Sequence, residues 1–321
     1  MSRSITVRGM RSRAQRFLAI DTFEELAAAF RKQPLQLAAL VARPEYDEFF
    51  IPKRNGKKRL IENPNRQLKK VQRRLNEYLQ AVYYFHRTDS AYGFLTVPRD
   101  DPSPRHILSN AEAHLGCEWM LNVDMKDFFY QISYERTKQL FEAPLFGFRE
   151  TVSIPLAAIC CYQGRLPMGA PTSPIISNLV SIPLDQDLEE LAEQKEWVYT
   201  RYADDLTFSS KTPITHVDFL EIEQWVRTYD LMLNPQKIRF FSPEGPPKEV
   251  TGLIVGKNKL TLSGEYQQQL KGAIEHLSIV VDAQHLTPSG HSNRSIWVNE
   301  LSQQVSSTLA IGKVQWLVVR R

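Results

Sequence analysis

The sequence has no apolar run near the roughly 20 residues that a membrane-crossing helix needs. It is also poor in cysteine. Cys117, Cys160 and Cys161 are the three present, and their spacing suits neither a zinc site nor a disulfide framework. A reducing, cytoplasmic compartment is therefore the expected setting, with no membrane partner. The first residues carry five arginines (Arg3, Arg8, Arg11, Arg13 and Arg16) but no apolar core segment. No secretory signal is visible in that pattern, which reads as a basic arm or an organellar presequence. No internal repeat and no low-complexity tract is present.

What remains is an ordinary globular composition over 321 residues, 42% hydrophobic and 24% charged. A chain of this length buries a large core and divides into two or three subdomains. The net charge of +4 is unevenly spread. Between Lys53 and Arg74 lie ten basic residues and a single acid, Glu62. A run so dense reads as a surface for phosphates. Between Asp185 and Glu196 six acids accompany one lysine, which reads as a solvated helix face.

Local patterns give the order of elements. Thr22-Phe-Glu-Glu25 is a capping box opening a helix, and Leu35–Val41 a second short one. Tyr46–Pro52 and Lys57–Ile61 flank an Asn55-Gly56 turn and read as a hairpin. Leu68, Val71, Leu75 and Leu79 follow helical spacing. Trp119–Asp124 is a short strand, followed by a helix from about Ser133. A Gly/Pro-rich loop, QGRLPMGAPTSP, precedes a helix that starts near Pro174 and runs into the acidic segment. A hairpin surrounds Asp204, a helix spans Phe219 to Tyr229, and Ile238–Phe241 is a strand. Val250–Val255 and Lys259–Leu262 read as a last hairpin, and a helical end follows. The middle, about 115–245, fits a split β–α–β sheet with helices on one face.

Two adjacent carboxylates, Asp204 and Asp205, interrupt the stretch RYADDLTFSS. Asp suits turns, and most such pairs do nothing else. In a split β–α–β sheet, however, the strand ending at Asp124 neighbours this hairpin. Carboxylates converging on one point repel unless a cation lies between them. Mg2+ or Mn2+ are the natural occupants, and two ions about 3.5–4 Å apart serve in-line nucleotidyl transfer.

YADD at 202–205, NVDMKDFF at 122–129 and LPMGAPTSP at 166–174 resemble, in that order, the motifs of reverse transcriptases. NAEAH at 110–114 and VTG at 250–252 resemble the Asn-Ala-x-x-His and Val-Thr-Gly elements of bacterial retron reverse transcriptases. With AYGF at 91–94 and IPKRNGKKRLI at 51–61, the resemblance covers about residues 46–262. It implies an α+β right-hand polymerase: a basic arm and helices over 1–45, fingers over 46–118, a ferredoxin-like palm over 119–262 and a helical thumb over 263–321. Asp124 and Asp204 would ligate two Mg2+ ions, with Mn2+ a substitute, and Asp205 would support the site. Phe129 would exclude a ribose 2′-OH, or else be a core aromatic. Lys53, Arg59 and the Gly169 backbone would meet the incoming triphosphate, and Lys237 would protonate departing pyrophosphate. Lys69, Lys70, Arg73 and Arg74 would contact template backbone. Asn110, His114 and Thr251 would contact RNA or product, although a histidine at such spacing is often structural.

Two residues depart from the family pattern. Met168 stands where a glutamine usually helps to hold the nucleotide, and a thioether cannot supply amide hydrogen bonds. Tyr130 stands where proline is common. The implied activity is RNA-directed DNA synthesis on a cognate structured noncoding RNA, primed from an RNA 2′-OH to give a branched RNA–DNA hybrid (msDNA). Implied partners are that RNA and its DNA, deoxynucleoside triphosphates, a separate effector protein in anti-phage defence, and a host ribonuclease H. The alternatives are another bacterial defence or group II intron-like reverse transcriptase with different priming, or a weakly catalytic RNA-binding scaffold. Only Met168 favours the scaffold. The 263–321 region, with Gln267, Gln268, Lys271, His276, Asn293 and Arg294, is expected to select the RNA by shape.

Overall fold

A computed structural model describes residues 5–52 and 56–262, with Gly264 and Gln268 beyond them. Lys53 and, apart from Gly264 and Gln268, the expected helical thumb with its RNA-selecting side chains fall outside the described residues.

Three helices open the chain: α1 (Val7–Leu18), α2 (Phe23–Ala29) and α3 (Pro34–Ala42). The expected basic arm is in fact α1. Thr6 caps it by accepting from the Gly9 amide, and Met10, Ala14 and Phe17 form a buried stripe at helical spacing. Its arginines occupy the other faces, which is why charge counting hid the helix. The Thr22–Glu25 capping box is present at α2.

The hairpin of β1 (Tyr46–Pro52) and β2 (Lys58–Pro64) follows, paired antiparallel from Tyr46↔Pro64 to Pro52↔Lys58. Asn65 caps α4 (Arg66–Tyr84), whose Leu68, Val71, Leu75 and Leu79 are buried. After a long loop come α5 (Ile107–Glu112), β3 (Trp119–Asp124), a 3-10 turn over Phe128–Gln131, α6 (Tyr134–Glu142) and α7 (Glu150–Cys160). The helix expected from Pro174 is two, α8 (Ser173–Val180) and α9 (Ile182–Gln194), joined at Ser181. Then come β4 (Val198–Tyr202), β5 (Asp205–Ser210), α10 (His216–Thr228), a 3-10 turn over Pro235–Lys237 and β6 (Arg239–Phe241).

These four strands form one antiparallel sheet in the order β4-β5-β3-β6, the order of a split β–α–β arrangement. Alternation divides its residues between two faces. Leu121, Val123, Tyr199, Leu206 and Phe208 enter the main core with Leu184 and Leu188 of α9 and Phe219 and Ile222 of α10. The opposite face carries Asn122, Asp124, Thr200, Asp205, Thr207 and Ser209. One end of that polar face is covered by a smaller core, built from Ala111 of α5, Met120, Phe241 and a second sheet. That sheet comprises β7 (Glu249–Val250), β8 (Leu253–Val255) and β9 (Leu260–Leu262). The single strand expected over 250–255 is thus a hairpin. Thr251 (φ 49°) and Gly252 (φ 88°) are its two-residue turn, both left-handed as a tight hairpin demands.

Candidate active site

β3 ends at Asp124 and β5 begins at Asp205. Register places the two carboxylates directly opposite each other, with Asp204 in the turn between β4 and β5. Like charges directly opposite on a sheet are destabilising. The backbone fixes the arrangement from three sides. The Met125 amide donates to the Asp204 carbonyl at 2.9 Å, the Asn234 amide to the Asp124 carbonyl at 2.7 Å, and Ala203 turns the chain at φ 61°.

Burial raises the Asp204 carboxyl, the Asp124 charge raises it further, and Lys237 and Arg59 pull it back. Burial and then the Asp204 and Asp124 charges push Asp205 up to about 7. Asp205 is still open to solvent on one side, which tempers the burial contribution. Lys237 Nζ lies 2.5 Å from Asp124 Oδ2, and Asn234 Nδ2 lies 3.4 Å from Oδ1. Lys237 therefore stands against three neighbouring carboxylates, with Arg59 and Arg239 acting on Asp204 and Asp205 from farther off. Among the described residues no set of three His, Cys, Asp or Glu side chains closes around one point. The donors nonetheless suit a hard divalent cation: all are carboxylate oxygens, and their mutual repulsion is what such a cation relieves.

Arg201 holds this turn from the core side, and sequence reasoning missed it. Its side chain is fully buried. Its Nε and Nη2 reach the two Asp185 oxygens at 2.7 and 2.5 Å, and its Nη1 reaches Asn178 Oδ1 at 2.9 Å and the Ala203 carbonyl at 3.1 Å. Asp185, read as part of a solvated acidic face, is instead buried on α9. The Tyr199 hydroxyl donates to it at 2.9 Å and the Thr88 hydroxyl at 3.4 Å. The AYGF segment runs beside β4, with the Arg201 amide donating to Ser90 and the Tyr92 amide to Arg201. A Cβ on Gly93 would lie 2.4 Å from the Ala203 nitrogen, so this close approach admits only glycine.

Of the expected nucleotide-side residues, Arg59 and Lys237 act on these carboxylates. Arg59 is exposed on β2, and its charge reaches Asp204. Gly169, at φ 132°, is exposed against β2, where a Cβ would come within 2.8 Å of the Glu62 carbonyl. The Phe129 ring is buried, stacked with Phe128 and tilted against Phe94, at 6.0 Å from each. Lys237 is paired with Asp124 rather than free.

The expected nucleic-acid contacts divide. Lys70 and Arg73 face solvent on α4. Lys69 bonds Asn63 at 2.5 Å, and Arg74 directs its Nε to the Ala29 carbonyl of α2. His114 is buried, with Nδ1 2.7 Å from the Ser209 hydroxyl on β5 and Nε2 2.8 Å from the Thr200 hydroxyl on β4. Burial lowers its pKa to about 4. Both ring nitrogens are engaged within the protein, which favours the structural alternative, a strap across β4 and β5, over the expected RNA contact. Asn110 is buried as well. Its Oδ1 and the Thr251 Oγ1 are enclosed with no hydrogen-bond partner among the described residues.

The sequence profile described as reverse transcriptase (RNA-dependent DNA polymerase) matches residues 51–281. The chain is 30% identical over 254 residues to the retron Ec86 reverse transcriptase of Escherichia coli, covering 76% of this chain and 74% of that one. It is 32% identical over 280 residues to the retron Mx162 reverse transcriptase of Myxococcus xanthus, covering 76% of this chain but 55% of that longer one. Among solved structures, a telomerase from Candida albicans, in complex with a TWJ fragment of telomeric RNA, aligns with a TM-score of 0.53. At 10% identity, over 86% of this chain and 58% of that one, it speaks to the fold alone. No helix among the described residues is long and apolar enough to cross a membrane.

Proposed function

The chain belongs to the retron-type reverse transcriptases, RNA-directed DNA polymerases, and on that premise we propose that it copies a cognate structured noncoding RNA into DNA from an RNA 2′-OH primer. The product would be a branched RNA–DNA hybrid, made for anti-phage defence alongside a separate effector protein, with a host ribonuclease H removing template. In each step a primer hydroxyl oxygen bonds to the α-phosphorus of a deoxynucleoside triphosphate. The bond from that phosphorus to the bridging oxygen breaks, and pyrophosphate leaves.

The observation that carries this reading is the register of Asp124 against Asp205, with Asp204 in the turn beside them. These three would hold two Mg2+ ions, or Mn2+, which when bound activate the attacking hydroxyl and stabilise the leaving pyrophosphate. Arg59 contributes a fork for phosphate oxygens, and Lys53 would assist it. Lys237 would donate a proton to pyrophosphate, for which it must leave Asp124. Phe129 would bar a 2′-OH from the sugar site. The segments 46–118, 119–262 and 263–321 would act as fingers, palm and thumb, with Lys70 and Arg73 on the template path.

Purified protein with its RNA, Mg2+ and deoxynucleotides should yield RNA-linked DNA. Asp204→Asn should abolish extension while RNA binding, measured by mobility shift, stays within a few-fold. Undiminished synthesis by that variant would remove the catalytic assignment. Synthesis from an annealed 3′-OH primer without any RNA-linked product would favour intron-like priming. RNA binding with no synthesis in the wild type would favour a scaffold.

A further inference from the structure

Glu62, the single acid in the basic run, is fully buried at the seam between β2 and the loop 164–169. Its carboxylate takes both arms of Arg165: Nη2 to Oε1 and Nη1 to Oε2, each at 2.9 Å. Oε2 also accepts from the Met168 amide at 3.1 Å, and the Glu62 amide donates to the Met168 carbonyl at 2.8 Å. Strand β2 thus grips the backbone of Met168 from both sides. The next residue, Gly169, lies so close to Glu62 that it has no room for a side chain.

Arg165 has a second partner, an aromatic ring. Its guanidinium sits 3.8 Å from the Tyr130 ring centroid, and Tyr130 directly follows Phe129. The backbones run together there too, with the Leu166 amide donating to the Ile132 carbonyl at 3.0 Å and the Tyr134 amide to Gly164 at 2.8 Å. Three walls of the proposed nucleotide site therefore meet at one ion pair: the strand carrying Arg59, the loop carrying Gly169 and the turn carrying Phe129. The two positions that depart from the family pattern, Met168 and Tyr130, both belong to this junction. Met168 brings no amide side chain, yet its backbone is held at both ends. A proline at 130 would give Arg165 no aromatic face.

We propose that Glu62, Arg165 and Tyr130 form a clamp that positions the pocket for the incoming deoxynucleoside triphosphate, setting nucleotide affinity in the absence of a glutamine at 168. The three are positioning residues, acting through β2, Gly169 and Phe129, and the inference rests on the polymerase reading above. The planar fork of arginine serves the carboxylate and the ring at once, which lysine cannot do. A buried ion pair often adds little to stability against an apolar replacement, so a role in geometry accounts for it better than a role in folding.

The test uses the full chain with an annealed primer–template, so that RNA choice does not enter. Glu62→Gln, Arg165→Lys and Tyr130→Leu are compared with wild type in two readouts. One is the nucleotide dependence of single insertion; the other is equilibrium binding of the deoxynucleoside triphosphate to the protein–primer–template complex. Glu62→Gln and Arg165→Lys should weaken nucleotide affinity about tenfold in both, the loss expected for a charge-assisted hydrogen bond. The maximal insertion rate should change far less. Tyr130→Leu, on a half-buried ring and tolerant of change, should weaken affinity about threefold, and it reads the same contact if Glu62→Gln does not fold. A purely structural role predicts a lower melting temperature and a smaller active fraction with unchanged nucleotide affinity. That result in all three variants would overturn the clamp and leave the polymerase reading standing. A wild-type protein that incorporates no nucleotide would overturn both.

Discussion

The polar face of the central sheet has two ends that start from similar material and finish differently. At one end Thr200 and Ser209 meet His114, and every polar atom of the imidazole has a partner from the protein. At the other end Asp124 faces Asp205, and Asp204 raises the charge further, with Lys237 bonded to Asp124. The first end is closed chemistry: a neutral ring, satisfied and shielded by α5 and the small core. The second is open chemistry, with repulsion that the protein itself does not settle. Satisfied burial marks a brace, and unsettled charge marks a place where something else must bind. The NAEAH and YADD motifs both invite a functional reading as strings, and this contrast is what separates them.

The contrast breaks most severely if the turn loses its inner support. Asp185→Asn leaves Arg201 buried against a neutral partner, and loss of one member of such a pair costs about 3–5 kcal/mol. Chemical denaturation should show a midpoint shift of that size, with extension activity falling in step because Ala203 and Asp204 lose their anchor. A variant of wild-type stability would mean that the pair is not what holds the turn.

His114→Ala should cost about 2–4 kcal/mol, through two lost hydrogen bonds and a cavity. Extension on an annealed primer, per folded molecule, should stay within a few-fold of wild type. Loss of cognate RNA binding at full stability would instead return His114 to recognition.

Protonation acts on the same brace. Its pKa is lowered by burial to about 4, from an ordinary value near 6.5 when unfolded. Between those values the unfolded chain binds the proton and the folded one does not, so stability rises with pH across that window. As pH falls from about 6.5 to about 4, roughly 3 kcal/mol should be lost from this group. His114→Gln should flatten that part of the curve, and an unaltered pH profile in the variant would place the titration elsewhere.

Phe129→Ala should admit ribonucleotides, read as the ratio of ribo- to deoxynucleotide insertion. Equal exclusion by wild type and variant would leave Phe129 as a core aromatic beside Phe94 and Phe128. The smallest effect is expected at Thr251, a β-branched residue held at φ 49°. Thr251→Asn should stabilise the hairpin by up to about 1 kcal/mol, because asparagine tolerates the left-handed region. If the hydroxyl also reads RNA, cognate affinity will fall while stability rises.

Much of this architecture was legible in local sequence. The strands beside the aspartates show alternation, Thr22 shows its capping box, and the adjacent Asp204 and Asp205 mark a turn. What escaped was non-local. Asp185 is one acid among six until Arg201, on another element, pairs with it. Glu62 is an exception in a basic run until Arg165, more than a hundred positions later, gives it a partner. α1 was hidden because arginines dominate its composition while only three small or apolar positions face the core. The spacing of Asn110 and His114 suggests one helical face, but α5 ends at Glu112 and His114 lies in the turn beyond it, against β4 and β5.

The central claim is that the opposed carboxylates hold divalent cations. Thermal unfolding of wild type and Asp124→Asn across a Mg2+ titration tests it without any turnover. Without Mg2+, Asp124→Asn should melt no lower than wild type, since a like-charge repulsion has been removed. With Mg2+, wild type should gain stability by mass action on the folded state, and the variant should gain much less. Identical Mg2+ responses in the two proteins, or a variant strongly destabilised in its absence, would contradict the account.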